Sequence, residues 1–131
     1  MINLNQIRAK HAFENVAKIS NAKKEQNEKF LSLARGLPTM LQQNGLLATW
    51  AFFLAKKEDH HQAAAKIILD HLKAYFPQDG HLQNKDFKTF FTEYLTGHLI
   101  NTNGQLMKMT SEAIVFSGWI KRAAEALCEE G

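Results

Sequence analysis

The run Leu46-Leu47-Ala48-Thr49-Trp50-Ala51-Phe52-Phe53-Leu54-Ala55 decides the fold. Its ten residues are apolar apart from Thr49, so it reads as a helix that is apolar nearly all round and sits at the centre of the domain. A bilayer span needs about 20 such residues, which makes this a core helix. Asn44-Gly45 stands just before it. Both residues tolerate the left-handed conformation of a helix C-cap, and no alternating pattern flanks them to suggest a hairpin. Gly45 is therefore expected at positive φ. Upstream, Pro38 suits the first turn of a short helix that runs to Gln43. Downstream, Lys56 and Lys57 suit the negative end of the central helix dipole.

Helical periodicity extends outward from this run. Ala9, Ala12, Phe13, Val16 and Ala17 form a stripe at 3.6 spacing, with Asn3 or Asn5 as its cap. The polar stretch Ser20 to Glu28 ends it. Phe30, Leu31 and Ala34 start a second apolar face, punctuated by Gly36 and Pro38. After the central run, a helix is expected from His60 to Tyr75, with Ala64, Ile67, Ile68, His71, Leu72 and Tyr75 inside. Pro77-Gln78-Asp79-Gly80 is a turn. Another helix is expected from Asp86, burying Phe87, Phe90, Phe91, Tyr94 and Leu95; Gly97 to Gly104 has the weakest pattern. Thr110 or Ser111 caps the last helix, whose core stripe is Ala113, Phe116, Ile120, Ala123, Ala124 and Leu127. No strand pattern and no repeat appear. The expectation is an all-α chain: a compact bundle of about six helices, one domain over residues 1–131.

Composition bounds the function. Hydrophobic residues make up 45% and charged residues 22%, which fits a globular protein and argues against disorder. The single Cys128 can form neither an internal disulfide nor a Cys-based zinc site. Met1 to Ala9 lacks the charged-then-apolar layout of a secretory signal, so a cytoplasmic protein is expected. Residues 1–57 carry nine Lys/Arg against three Glu, a net of +6, while residues 58–131 net −3. A basic half suits a polyanion, and an acidic half suits a neighbouring protein.

Catalytic motifs are missing. There is no phosphate-binding Gly-rich loop, no Gly-x-Ser-x-Gly elbow and no His-Glu-x-x-His. On one helix, His60 and His71 lie eleven residues and about 16 Å apart, too far to share a metal whose bonds are about 2.1 Å long. Asp59-His60-His61 is similar to a phosphoesterase motif but lacks the strand end and further acidic motifs that motif needs. The expectation is no catalytic residue, no metal and no cofactor, with His60 and His61 at a helix start and His71 in or near the core. Trp119 and Arg122 are spaced i,i+3 on the last helix. Trp119 reads more simply as a core ring shielded by an Arg stem than as a stacking platform. Lys121 and Arg122 are open to either role.

Three segments carry a resemblance. Near the N-terminus stands Arg8-Ala9-Lys10-His11-Ala12-Phe13-Glu14-Asn15-Val16. In the middle stands Phe30 to Leu54, in which Leu37-Pro38 is followed by Asn44-Gly45-Leu46. Near the C-terminus stands Thr110 to Ala126, in which Trp119-Ile120-Lys121-Arg122-Ala123-Ala124-Glu125 is the most specific part. In this order and length they resemble the small helical subunit of the Cmr (type III-B) CRISPR complex. Residues 58–105 match only in helical character. The resemblance implies a non-catalytic bundle whose copies stack into a minor filament beside the backbone subunits and the large scaffold subunit. It further implies that they help line a positive channel for guide RNA and target RNA, with cleavage left to other subunits. On that reading the candidate phosphate contacts are Arg8, Lys10, Lys18, Lys23, Lys24, Lys121 and Arg122, of which Arg8 has a structural role as its alternative. A helical protein–protein adaptor with no RNA contact remains the second reading.

Overall fold

Asn3 opens the first helix. Its side-chain oxygen accepts the Asn5 N–H at 2.8 Å, satisfying one of the donors that a helix start leaves free. The computed structural model describes residues 3–20, 24–56, 58–77, 83, 86, 88–89, 92–93 and 103–128, with side chains in the last segment from residue 106. Its helices are α1 (Leu4–Ser20), α2 (Lys24–Lys56), α3 (Asp59–Tyr75) and α4 (Asn103–Leu127). Among the described residues there is no strand, and no helix is long and apolar enough to cross a membrane. α4 packs along both α1 and α2, and α3 closes against α2. One buried cluster draws on all four helices, including Val16, Leu37, Trp50, Ile68 and Phe116.

The all-helical expectation holds; of the about six helices expected, the described residues give four named ones, and residues 88–89 and 92–93 are also helical. The main difference is α2. Pro38 lies inside it with helical dihedrals and opens no new helix. An interior proline costs about 3 kcal/mol relative to alanine. Against that, Phe30, Leu31, Leu37 and Leu41 continue one stripe across it and are 0–2% exposed. Burying each such side chain contributes about 1.5–3 kcal/mol, so packing outweighs the proline. The real break is Gly45, at φ 80, ψ 172, as its sequence context predicts. α2 is thus two helical segments, 24–44 and 46–56, joined at one glycine.

Three smaller expectations are corrected. The run Leu46 to Ala55 is not buried all round. Leu46, Thr49, Trp50 and Phe53 face the core, while Phe52 is 38% exposed beneath the Lys56 ammonium, 5.4 Å from its ring centre. α4 begins at Asn103, so Thr110 and Ser111 lie within it; the fully buried Met109 carries the stripe back past them. Leu127 is exposed, and Cys128 is buried in its place. At Asp86, where a helix start is expected, Oδ1 accepts the Thr89 N–H at 2.7 Å. Phe87, Phe90, Phe91, Tyr94 and Leu95 lie outside the described residues.

Gly45 gives a clean test of this backbone. A Cβ added there meets nothing within 4 Å, so the strain of a side chain would be purely conformational. The φ/ψ region is nearly exclusive to glycine, and a β-branched residue there costs about 1–3 kcal/mol. Gly45→Val is expected to lower the melting temperature with no change in the folded far-UV spectrum; an unchanged melting temperature would show that the chain turns differently.

Candidate nucleic-acid interface

Of the seven basic residues singled out by sequence, six are described, and one of them does not face solvent. Arg8 is turned inward. Its Nε donates to Glu112 Oε2 at 2.8 Å and a terminal nitrogen donates to Oε1 at 2.7 Å, a two-point clamp. The Arg8 side chain is 14% exposed and that of Glu112 4%. The Tyr75 ring lies 5.6 Å from the guanidinium carbon, and Asn5 accepts a further hydrogen bond at 3.1 Å. Hydrogen bonding to Glu112 raises the Arg8 pKa further. This guanidinium joins α1 to α4 and serves structure.

The same carboxylate holds a histidine pair. His71 Nε2 lies 2.8 Å from Glu112 Oε2, and His71 Nδ1 lies 2.8 Å from His11 Nδ1. With both rings neutral, His11 Nδ1–H donates to His71, and His71 Nε2–H donates to Glu112, which satisfies every nitrogen in the chain of bonds. The His71 ring also stacks on Phe116, with centroids 3.8 Å apart and planes 7° from parallel. Burial holds the His11 imidazole below the ordinary histidine value, with the neighbouring His71 acting the same way. Burial alone would push the Glu112 carboxyl up, but hydrogen bonds from Arg8 and His71 outweigh it and hold the carboxyl below its usual range. Sequence placed His71 correctly, in the core, but missed its partners. The signal was present: Arg8 is in phase with Ala12 and Val16, and Glu112 with Phe116 and Ile120, so both charges fall on buried stripes and need each other.

The remaining lysines and arginine are at the surface. Lys18 and Lys24 are exposed and make no ion pair among the described residues. They flank the α1–α2 connection, which is tied by the Asn27 amide donating to the Ser20 carbonyl at 3.3 Å. The two therefore share one end of the bundle. Lys23 lies outside the described residues. Lys10 is 71% exposed and 4.0 Å from Glu14, one helical turn on. Arg8 is ten residues and about 15 Å of helix rise from Lys18. Lys121 and Arg122 belong to a different helix, near the end of α4. Arg122 lies over the Trp119 ring at 4.7 Å, and that ring is half-buried against the core, in keeping with a shielded tryptophan. Nearby, Arg35 and Glu125 pair across α2 and α4 at 3.5 Å, both partly solvated. Such a pair contributes about 0–1 kcal/mol.

Comparison with known proteins adds to this geometry. Residues 4–127 match the family model described as CRISPR-associated protein (Cas_Cmr5). The fold is similar to the crystal structure of a CRISPR-associated Cmr5 family protein from Thermus thermophilus, with a TM-score of 0.73 and 22% identity. That match covers 98% of this chain and 100% of the other.

Proposed function

Because this chain belongs to the Cmr5 family of CRISPR-associated proteins, we propose that it serves as the small subunit of a Cmr (type III-B) complex, without catalytic activity of its own. Its copies stack into a minor filament that supports guide RNA–target RNA binding in antiviral defence, in the cytoplasm. Partners are the backbone subunits, the large scaffold subunit and copies of itself. The observation that carries this reading is the family match over nearly the whole chain. The physical role in this reading is positional: lysines that neutralise phosphates fix register without reading sequence, while guide pairing supplies specificity.

Lys18 and Lys24 are the first residues to test, because they are solvated, flank the same connection and make no ion pair among the described residues. Lys23 stands beside them in sequence, and Lys10, Lys121 and Arg122 come second. One subunit reaches few phosphates, so binding by the isolated chain is weak and assembly strengthens it through effective concentration. In the assembled complex, Lys18→Glu with Lys24→Glu is expected to weaken target RNA retention at moderate salt, about equally for any target sequence. Each lysine that no longer neutralises a phosphate flattens the dependence of log affinity on log salt by about 0.7–0.9, and cut positions stay where they are. If the double variant assembles normally and holds RNA as tightly as wild type across a salt series, this end of the bundle touches no RNA. The reading as a helical adaptor between proteins then gains ground.

A further inference from the structure

The turn between α2 and α3 brings together three residues that the RNA reading does not use. Glu58, His60 and His61 each offer one ligand atom within 4.8 Å of the other two. Glu58 is the extended residue just before α3, and its side chain makes no capping bond, so its carboxylate is free to turn toward the rings. Its Oε2 stands 3.9 Å from His60 Nε2. The His60 and His61 ring centroids are 4.1 Å apart. His61 is 7% exposed, wedged edge-on against Phe52 at 5.3 Å and beside Phe53 at 5.8 Å. Its Nδ1 is buried with no hydrogen-bond partner among the described residues. Buried polar nitrogens are nearly always satisfied, so an orphan in a group of metal-ligand residues points to a missing ligand.

We propose that Glu58, His60 and His61 form a binding site for a transition-metal dication of the zinc class, with water completing the coordination. Two imidazoles and one carboxylate suit zinc, cobalt or nickel, and not magnesium or calcium, which take oxygen ligands. A tetrahedral zinc with bonds of about 2.1 Å sets its ligand atoms about 3.4 Å apart, so the group closes by rotation of the half-exposed Glu58 carboxylate and small ring shifts. The site is a staple, not a reaction centre. All three ligands come from one turn, so what the cation holds is the first turn of α3 and the orientation of the His61 ring that packs on Phe52 and Phe53.

The test uses the full chain, free of any tag and stripped with chelator, titrated with Zn2+ by calorimetry and with Co2+ by visible absorption. The expected result is one Zn2+ per chain at micromolar affinity, a tetrahedral Co2+ spectrum, and a melting temperature that rises with Zn2+ and is indifferent to Mg2+. His61→Gln and His60→Gln alter largely buried rings, so Glu58→Gln, at a half-exposed position, decides the matter alongside His60→Gln. Each is expected to weaken Zn2+ binding about tenfold or more while the metal-free melting temperature stays close to wild type. Absence of binding tighter than millimolar overturns the proposal. So does binding that His60→Gln and Glu58→Gln leave unchanged, because the ion then sits on other residues.

Discussion

Glu112→Ala is expected to melt about 10 °C below wild type, a loss of about 3 kcal/mol. The carboxylate is 4% exposed and receives two hydrogen bonds from Arg8 and one from His71. Removing one partner of a buried pair leaves the other without compensation, which costs about 3–5 kcal/mol. The low end applies because Arg8 keeps Asn5 and Tyr75 as neighbours. In a double-mutant cycle with Arg8→Met, the two losses should add to less than their sum. Acid should act on the same group. The folded Glu112 carboxyl lies below its ordinary 4.5, so the unfolded chain takes up that proton first. The stability it contributes is complete above 4.5 and is lost as pH falls through the lower folded value. His11 works in the same sense at higher pH. Its folded pKa lies below 6.5, so stability begins to fall as pH drops below that value. Thermal melts from pH 8 to 3 should show both losses in wild type and a smaller acid-side loss in Glu112→Ala, where Asp86 is still held low by Thr89. A melting temperature within two degrees of wild type at pH 7.5 would mean the clamp contributes nothing net.

The other large effect is expected at Phe116. This ring is fully buried in the common core and carries the His71 imidazole face to face at 3.8 Å. Phe116→Ala removes buried surface and opens a cavity beneath a hydrogen-bonded histidine. Such truncations cost about 3–5 kcal/mol, and partial collapse of the void is hindered here because His71 is held by Glu112 and His11. Urea unfolding should show the midpoint falling with the slope unchanged. Phe116→Leu retains most of the volume and should lose well under half as much. Because Phe116 and Glu112 both act through His71, the losses of Phe116→Ala and Glu112→Ala should not be additive. A Phe116→Ala loss below about 1 kcal/mol would place the ring at a site that repacks freely.

Sequence by itself determined the helical class, the core faces of α1 and α3, most of the α4 stripe and the turn at Gly45. These follow from local rules. A 3.6-residue stripe marks the buried face wherever it runs, and Gly45 sits where only glycine is comfortable. The same rules misplaced the breaks in α2, because a proline counts against a helix locally while the burial of Phe30, Leu37 and Leu41 is a property of the assembled core. They also overestimated the burial of the 46–55 run, since an apolar residue such as Phe52 can sit at the surface under a lysine. For the candidate site, sequence found the solvated lysines Lys18 and Lys24 because charge and periodicity suffice to place them outside. It could not assign Arg8, whose partner lies 104 residues away. The pairing of Arg8 with Glu112 and of His71 with His11 depends on how helices cross and which rotamers packing selects. Only the tertiary structure decides those, because each is a contact between side chains whose positions are set by the packing of whole helices and not by the residues beside them in the chain.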